Sequence, residues 1–185
     1  MTKLYLKKSC IVGLDLSLTG TGVIVLKEGK LDCQQLIKSK PPADKSYLTE
    51  TRRLMKIRDQ IAEIVDNKKP VLAVIEGMAF SIRSTTALTQ LSGLNYMTRE
   101  MLIERNIPFI IVAPTSLKKF VTGSGAAKKD VMLLETFKRY GISFADDNLA
   151  DSHALARCGL ALLGEEEGKL TLKQQEVIKL LNEQL

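Results

Sequence analysis

The chain has 185 residues, 45% of them hydrophobic, which is enough for one compact domain with a full core and too little to suggest two. No run approaches the 18 consecutive apolar residues of a membrane span, so a membrane partner is not expected. A formal charge of +6 and a pI near 9.2 point toward a polyanionic partner, and the absence of Trp argues against binding dominated by stacking on single-stranded bases.

In chain order, residues 8–16 (KSCIVGLDL) are branched and apolar, reading as a central strand rather than a signal peptide. SLTGTG then makes a glycine-rich turn, and GVIVLKEGKLDCQQLIK reads as a hairpin turning at Glu28-Gly29-Lys30. PPAD at 41–44 breaks the pattern. Residues 47–67 carry Leu48, Leu54, Ile57, Ile61 and Val65 at helical spacing. A strand is expected at 71–76, a long helix at 84–105, and another strand in IPFIIVAP, ended by Pro114. A short helix at 115–121, the loop TGSGAAKK and a helix near 129–140 follow. The last certain helix covers about 148–163, and an amphipathic tail covers 164–185 beyond a boundary at GEEEGK. This order predicts an α/β fold: a mixed five-stranded sheet, three antiparallel strands then two parallel ones, with helices on both faces. Cys10, Cys33 and Cys158 lack disulfide or zinc spacing and read as reduced core thiols of a cytoplasmic protein.

The chemistry is carried by carboxylates. Asp15 and Glu76 each end an apolar strand, where a charge is costly unless a cation meets it. Asp147 and Asp151 stand at i and i+4 near a helix start and can share one face. Converging carboxylates suit hard divalent ions, and a pair of ions can activate water and stabilise a leaving oxygen in phosphodiester hydrolysis. For any one acid, a helix cap or surface charge is an equally good account. For Asp15 and Glu76 together it is a poorer one.

Gly123 and Gly125 let backbone N–H groups approach a phosphate just before a helix, and Lys118, Lys119, Lys128 and Lys129 supply charge. Together these residues suggest a grip on a DNA backbone. The only histidine, His153, reads either as a proton-transfer group beside Asp151 or as a partly buried helix residue, and the second reading is preferred. Leu91, Met97 and Met101 form a stripe that serves equally as core or as a dimer surface.

The segments GLDLSLTGTG, VIEGMAF, IVAPTSLKKFVTGSGAAKKDVM and DDNLADSHALA, in this order, resemble the RuvC family of Holliday-junction resolvases across residues 8–163. Their compact loops look closest to phage-type members. The resemblance implies an RNase H-like fold and a homodimer that nicks four-way DNA junctions in pairs, leaving 5′-phosphate and 3′-hydroxyl ends. It also implies two Mg²⁺ ions per site, replaceable by Mn²⁺, in a phage or bacterial host cytoplasm, and no small-molecule substrate. It assigns Asp15, Glu76 and Asp151 as metal ligands and Lys118 and Lys129 as partners of the scissile phosphate.

The chain departs from the family pattern in three places. Asn148 occupies the position of an acid or histidine, so the fourth ligand is either Asp147, through a shifted helix start, or Asn148, through its carbonyl oxygen, with Asp147 preferred. Ser152-His153 lengthens the last motif and implies a local change of register. Ala79 occupies the place of the family's wedging aromatic, so Phe80 next to it is the candidate DNA contact. Three alternatives stand beside the resolvase: a broader branched-DNA nuclease, a catalytically impaired junction-binding protein, and an actin-like sugar kinase. The kinase reading rests on D-x-S-x-T-G-T-G and lacks room for a second lobe.

Overall fold

A computed structural model describes residues 9–44, 46–78 and 84–184. Among them, five strands form one sheet: β1 (Cys10–Asp15), β2 (Gly20–Lys27), β3 (Lys30–Lys38), β4 (Leu72–Glu76) and β5 (Phe109–Val112). The order across the sheet is β3-β2-β1-β4-β5. β1 pairs antiparallel with β2 and parallel with β4, and β4 pairs parallel with β5. The hairpin between β2 and β3 closes on Glu28 and Gly29, both at positive φ, as a two-residue turn of primed type requires.

Among the described residues, six helices cover the sheet: α1 (Tyr47–Lys68), α2 (Thr85–Glu104), α3 (Pro114–Thr122), α4 (Lys129–Tyr140), α5 (Asp147–Leu162) and α6 (Leu172–Asn182). Because strand side chains alternate, β1 feeds two cores. Val12 and Leu14 join Ile57, Ile61, Leu94 and Met101 under α1 and α2. Ile11 joins Val74, Leu117, Phe120 and Leu155 under α3 and α5 on the opposite face. Helices therefore lie on both faces, as the residue pattern predicts.

α5 is the helix that positions the site, and it lies unusually close to the sheet. A Cβ on Gly13 would stand 2.0 Å from the Ser152 carbonyl oxygen, and one on Gly22 would stand 2.2 Å from that of Asn148. From the helix side, a Cβ on Gly159 would meet Ile11 Cγ2 at 2.7 Å. Glycine at these three places is a condition of the packing. α5 runs unbroken through Ser152-His153, and Ser152 turns inward: its Oγ accepts from the Asp15 amide at 3.2 Å and donates to the Asn148 carbonyl at 2.6 Å.

The tail is part of the fold. Val177, Ile178 and Leu181 are buried in the core beneath α3, and the Gln184 side chain bonds both the N–H and the C=O of Ile111 at 2.9 Å. It thereby covers the exposed edge of β5. The GEEEGK boundary is likewise stitched down. Glu165 accepts from the Ser9 amide and hydroxyl, and Glu166 accepts from Tyr140 Oη at 3.0 Å and lies 3.6 Å from Arg157. Cys10 and Cys158 are buried and Cys33 is half-buried, all as free thiols.

Candidate active site

Asp15 and Glu76 end neighbouring parallel strands one residue beyond the Leu14–Ile75 register pair, so both carboxyls leave the sheet at one edge. There the two carboxyls lie close enough to act on one another electrostatically. Burial and the neighbouring carboxylates push both groups above the ordinary carboxylate range, Glu76 further than Asp15. Asp151 comes to the same place on the first turns of α5. Burial raises its pKa to about 6, against the attraction of Lys129.

Lys118 from α3 and Lys129 from the start of α4 complete the surroundings. With Asp147, Asp151, Met132, Leu133 and Ala150 they line a narrow cleft of about 60 Å³. Lys129 favours the charged forms of Asp15 and Asp151, and Lys118 those of Glu76 and Asp151. Gly123 caps α3 at φ 83°, and a Cβ on Gly125 would press within 3.1 Å of the Thr115 carbonyl. The turn between them brings Lys128 and Lys129 back toward α3. Lys128 is exposed, and the first turn of α4 has no side-chain cap, so its free N–H groups face solvent.

Several expected residues are placed differently. Asp147 is 40% exposed and ion-paired with Lys129 at 3.0 Å, and its charge acts on Asp151. Asp146, which the motif spacing passes over, caps α5 by accepting from the Asn148 amide at 2.9 Å, and its charge reaches Asp15. The Asn148 side-chain nitrogen faces Gly20 instead. Lys119 is engaged by the tail, with Glu176 at 2.6 Å.

His153 is buried between the rings of Tyr140 and Phe144, at 5.0 and 5.3 Å. Burial and Arg157 lower its pKa to about 3, so it is a neutral packing residue and more deeply buried than expected. Met101 is core, while Leu91 and Met97 pack partly against the same cluster, so the proposed dimer stripe faces inward in part. Phe80 and Ala79 lie outside the described residues.

The sequence matches the family described as crossover junction endodeoxyribonuclease RuvC over residues 11–159. The chain belongs to the RuvC family. A relative so named from Bifidobacterium longum is 31% identical over 176 residues, covering 90% of this chain and 89% of the other. One from Carboxydothermus hydrogenoformans is 28% identical over 160 residues, covering 83% and 97%. Among solved structures, Thermus thermophilus RuvC superposes with a TM-score of 0.69 at 21% identity, covering 84% of this chain and 97% of that one. The same protein in complex with a Holliday junction substrate gives 0.70, also at 21% identity, over 85% and 97%. The fold is therefore that of RuvC, the RNase H-like arrangement that the resemblance implied, and as a family member the chain is a metal-dependent endonuclease.

The donor set fits such a metal. Three carboxyls from three elements supply hard oxygens, and burial beside one another raises the proton affinity of Asp15 and Glu76, a cost that a bound cation would relieve. Lys118 and Lys129 alone do not bring them into the ordinary carboxylate range. Among the described residues, no three acidic side chains already stand in ligating geometry.

Proposed function

We propose that this chain is a Mg²⁺-dependent endonuclease that acts as a homodimer on four-way DNA junctions, hydrolysing one phosphodiester at each of two sites. The observation that carries the reading is the meeting of Asp15 and Glu76 at one sheet edge, with Asp151 beside them and Lys118 and Lys129 at the rim. Asp15, Glu76 and Asp151 would hold the ions, and Asp146 or Asp147 would complete the set. Bound Mg²⁺ supplies activation of the attacking water and stabilisation of the leaving oxygen, and Mn²⁺ suits the same donors.

The remaining work falls to the chain. Lys118 and Lys129 neutralise the scissile phosphate, and Lys129, 71% exposed, exchanges Asp147 for it when DNA enters. The turn from Gly123 to Lys129 offers backbone N–H groups to a neighbouring phosphate. The rigid docking of α5 on Gly13 and Gly22 holds Asp151 in register with Asp15. Cleavage leaves a 5′-phosphate and a 3′-hydroxyl. A symmetric dimer presents two such sites to a substrate of matching two-fold symmetry.

A labelled four-way junction tests this against linear duplex of the same sequence. Paired nicks with Mg²⁺, none with EDTA, and loss of cutting with retained binding in Asp15→Asn are expected. A wild-type protein that binds junctions in Mg²⁺ and never nicks them would refute the proposal.

A further inference from the structure

A second groove lies away from the carboxylates. It lies between the end of β3 and α1, encloses about 460 Å³, and is lined by Lys38, Lys40, Arg52, Arg53 and Lys56 together with Ser39, Thr49 and Gln60. Thr49, Arg52, Arg53, Lys56 and Gln60 follow helical spacing and form one face of α1, beside the face that buries Leu54, Ile57 and Ile61, with Ile57 shared between the two. Lys38, Lys40, Arg52 and Lys56 are exposed, and none has an ion-pair partner among the described residues. The nearby acids are already engaged. Glu50 sits 3.7 Å from Arg53, and Asp44 accepts from Thr49 Oγ1 at 2.6 Å and from Ser46.

Two features tie this groove to the reaction centre. β3 runs parallel to β1, since each is antiparallel to β2, so Lys38 ends its strand at the same sheet edge as Asp15. Lys38 pairs with Gly20 and Asp15 pairs with Gly22 across the same strand. Two strand spacings place the ends roughly 10 Å apart laterally, about three nucleotide rises along one DNA strand. The second feature is Arg53. It is buried, its Nε donates to Ser39 Oγ at 2.8 Å, and its Nη2 donates to the Leu18 carbonyl in the loop that follows Asp15. One guanidinium thus fixes the groove's floor to the catalytic loop.

We infer that this groove is a second contact for the DNA phosphate backbone, holding the arm that runs away from the scissile bond. This rests on the nuclease reading. Arg52 and Lys56 meet phosphates from α1, Lys38 and Lys40 meet them from β3, and Arg53 sets the angle between this track and the carboxylates without touching DNA.

The test is the salt dependence of binding, measured by fluorescence anisotropy in EDTA on labelled junction and on linear duplex. Wild type is compared with two double variants, Arg52→Ala/Lys56→Ala and Lys38→Ala/Lys40→Ala. Because all four side chains are exposed, thermal midpoints should match wild type. Each lost phosphate contact lowers the slope of log affinity against log salt by about 0.9, so each double variant should lose about 1.8. At 0.1 M salt the same term corresponds to a loss of up to about sixty-fold in affinity. Slopes and affinities equal to wild type in both variants overturn the groove and leave the nuclease reading standing. Reduced slopes in the variants of a protein that never cuts junctions overturn the nuclease reading and leave the groove. A wild-type protein that binds neither DNA overturns both.

Discussion

Gly22→Ala is the substitution that most directly probes how the site is built. The new methyl carbon would stand 2.2 Å from the Asn148 carbonyl oxygen and 2.4 Å from Ser152 Oγ. An ordinary contact begins near 3.4 Å, so α5 must retreat by roughly 1 Å at the turn that carries Asp151. That turn is backbone, not the end of a flexible side chain, and Ser152 Oγ also serves the Asp15 amide. Overpacking of this kind costs about 1–3 kcal/mol, read as a lower urea midpoint at an unchanged slope. The larger effect should be on chemistry, because a misplacement of about 1 Å in a catalytic group lowers rates on the order of a hundredfold. Single-turnover cleavage of a four-way junction at saturating enzyme and Mg²⁺ isolates that step. Gly141→Ala is the control. It sits at φ 67° with nothing within 4 Å of a new Cβ, so it should cost about 1 kcal/mol of backbone strain and leave cleavage unchanged. Wild-type stability and rate in Gly22→Ala would show that close backbone contact does not hold α5.

Asp151→Asn should remove cleavage yet stabilise the metal-free protein above about pH 6. The folded pKa of about 6 exceeds the unfolded 3.8, so ionising Asp151 costs stability as pH rises through that window. The substitution should therefore gain on the order of 1–3 kcal/mol at pH 8 and nothing below pH 4, and equal thermal midpoints at both pH values would refute it. Asp147→Asn and Asp146→Asn separate the two candidates for the fourth ligand. Asn retains the α5 cap at position 146, so stability should hold in both, and the larger fall in apparent Mg²⁺ affinity for cleavage identifies the ligand. Lys119→Ala should lower stability by no more than about 1 kcal/mol, since its ion pair with Glu176 is partly exposed, and should leave the salt slope of junction binding intact. A slope reduced by about 0.9 would return Lys119 to the DNA surface.

The alternation of apolar runs with helical stripes determined the element order, the mixed sheet and the strand-end positions of Asp15 and Glu76, because strand and helix periods are local properties of the chain. Glycine spacing likewise marked the turn after α3. What the residues alone left open depended on contacts between distant segments. Asp147 and Asp146 are adjacent in sequence, and only the docking of α5 turns one toward Lys129 and the other toward Asp15. Lys119 reads as a DNA contact until the tail folds back and brings Glu176 to it. Gly13 and Gly22 resemble ordinary strand glycines until a helix from residues 147–162 is laid across them. The basic face of α1 has the same history. Its spacing is plain in the sequence, but its place beside the carboxylates follows from β3 running parallel to β1, and strand pairing is a long-range choice that no local period encodes.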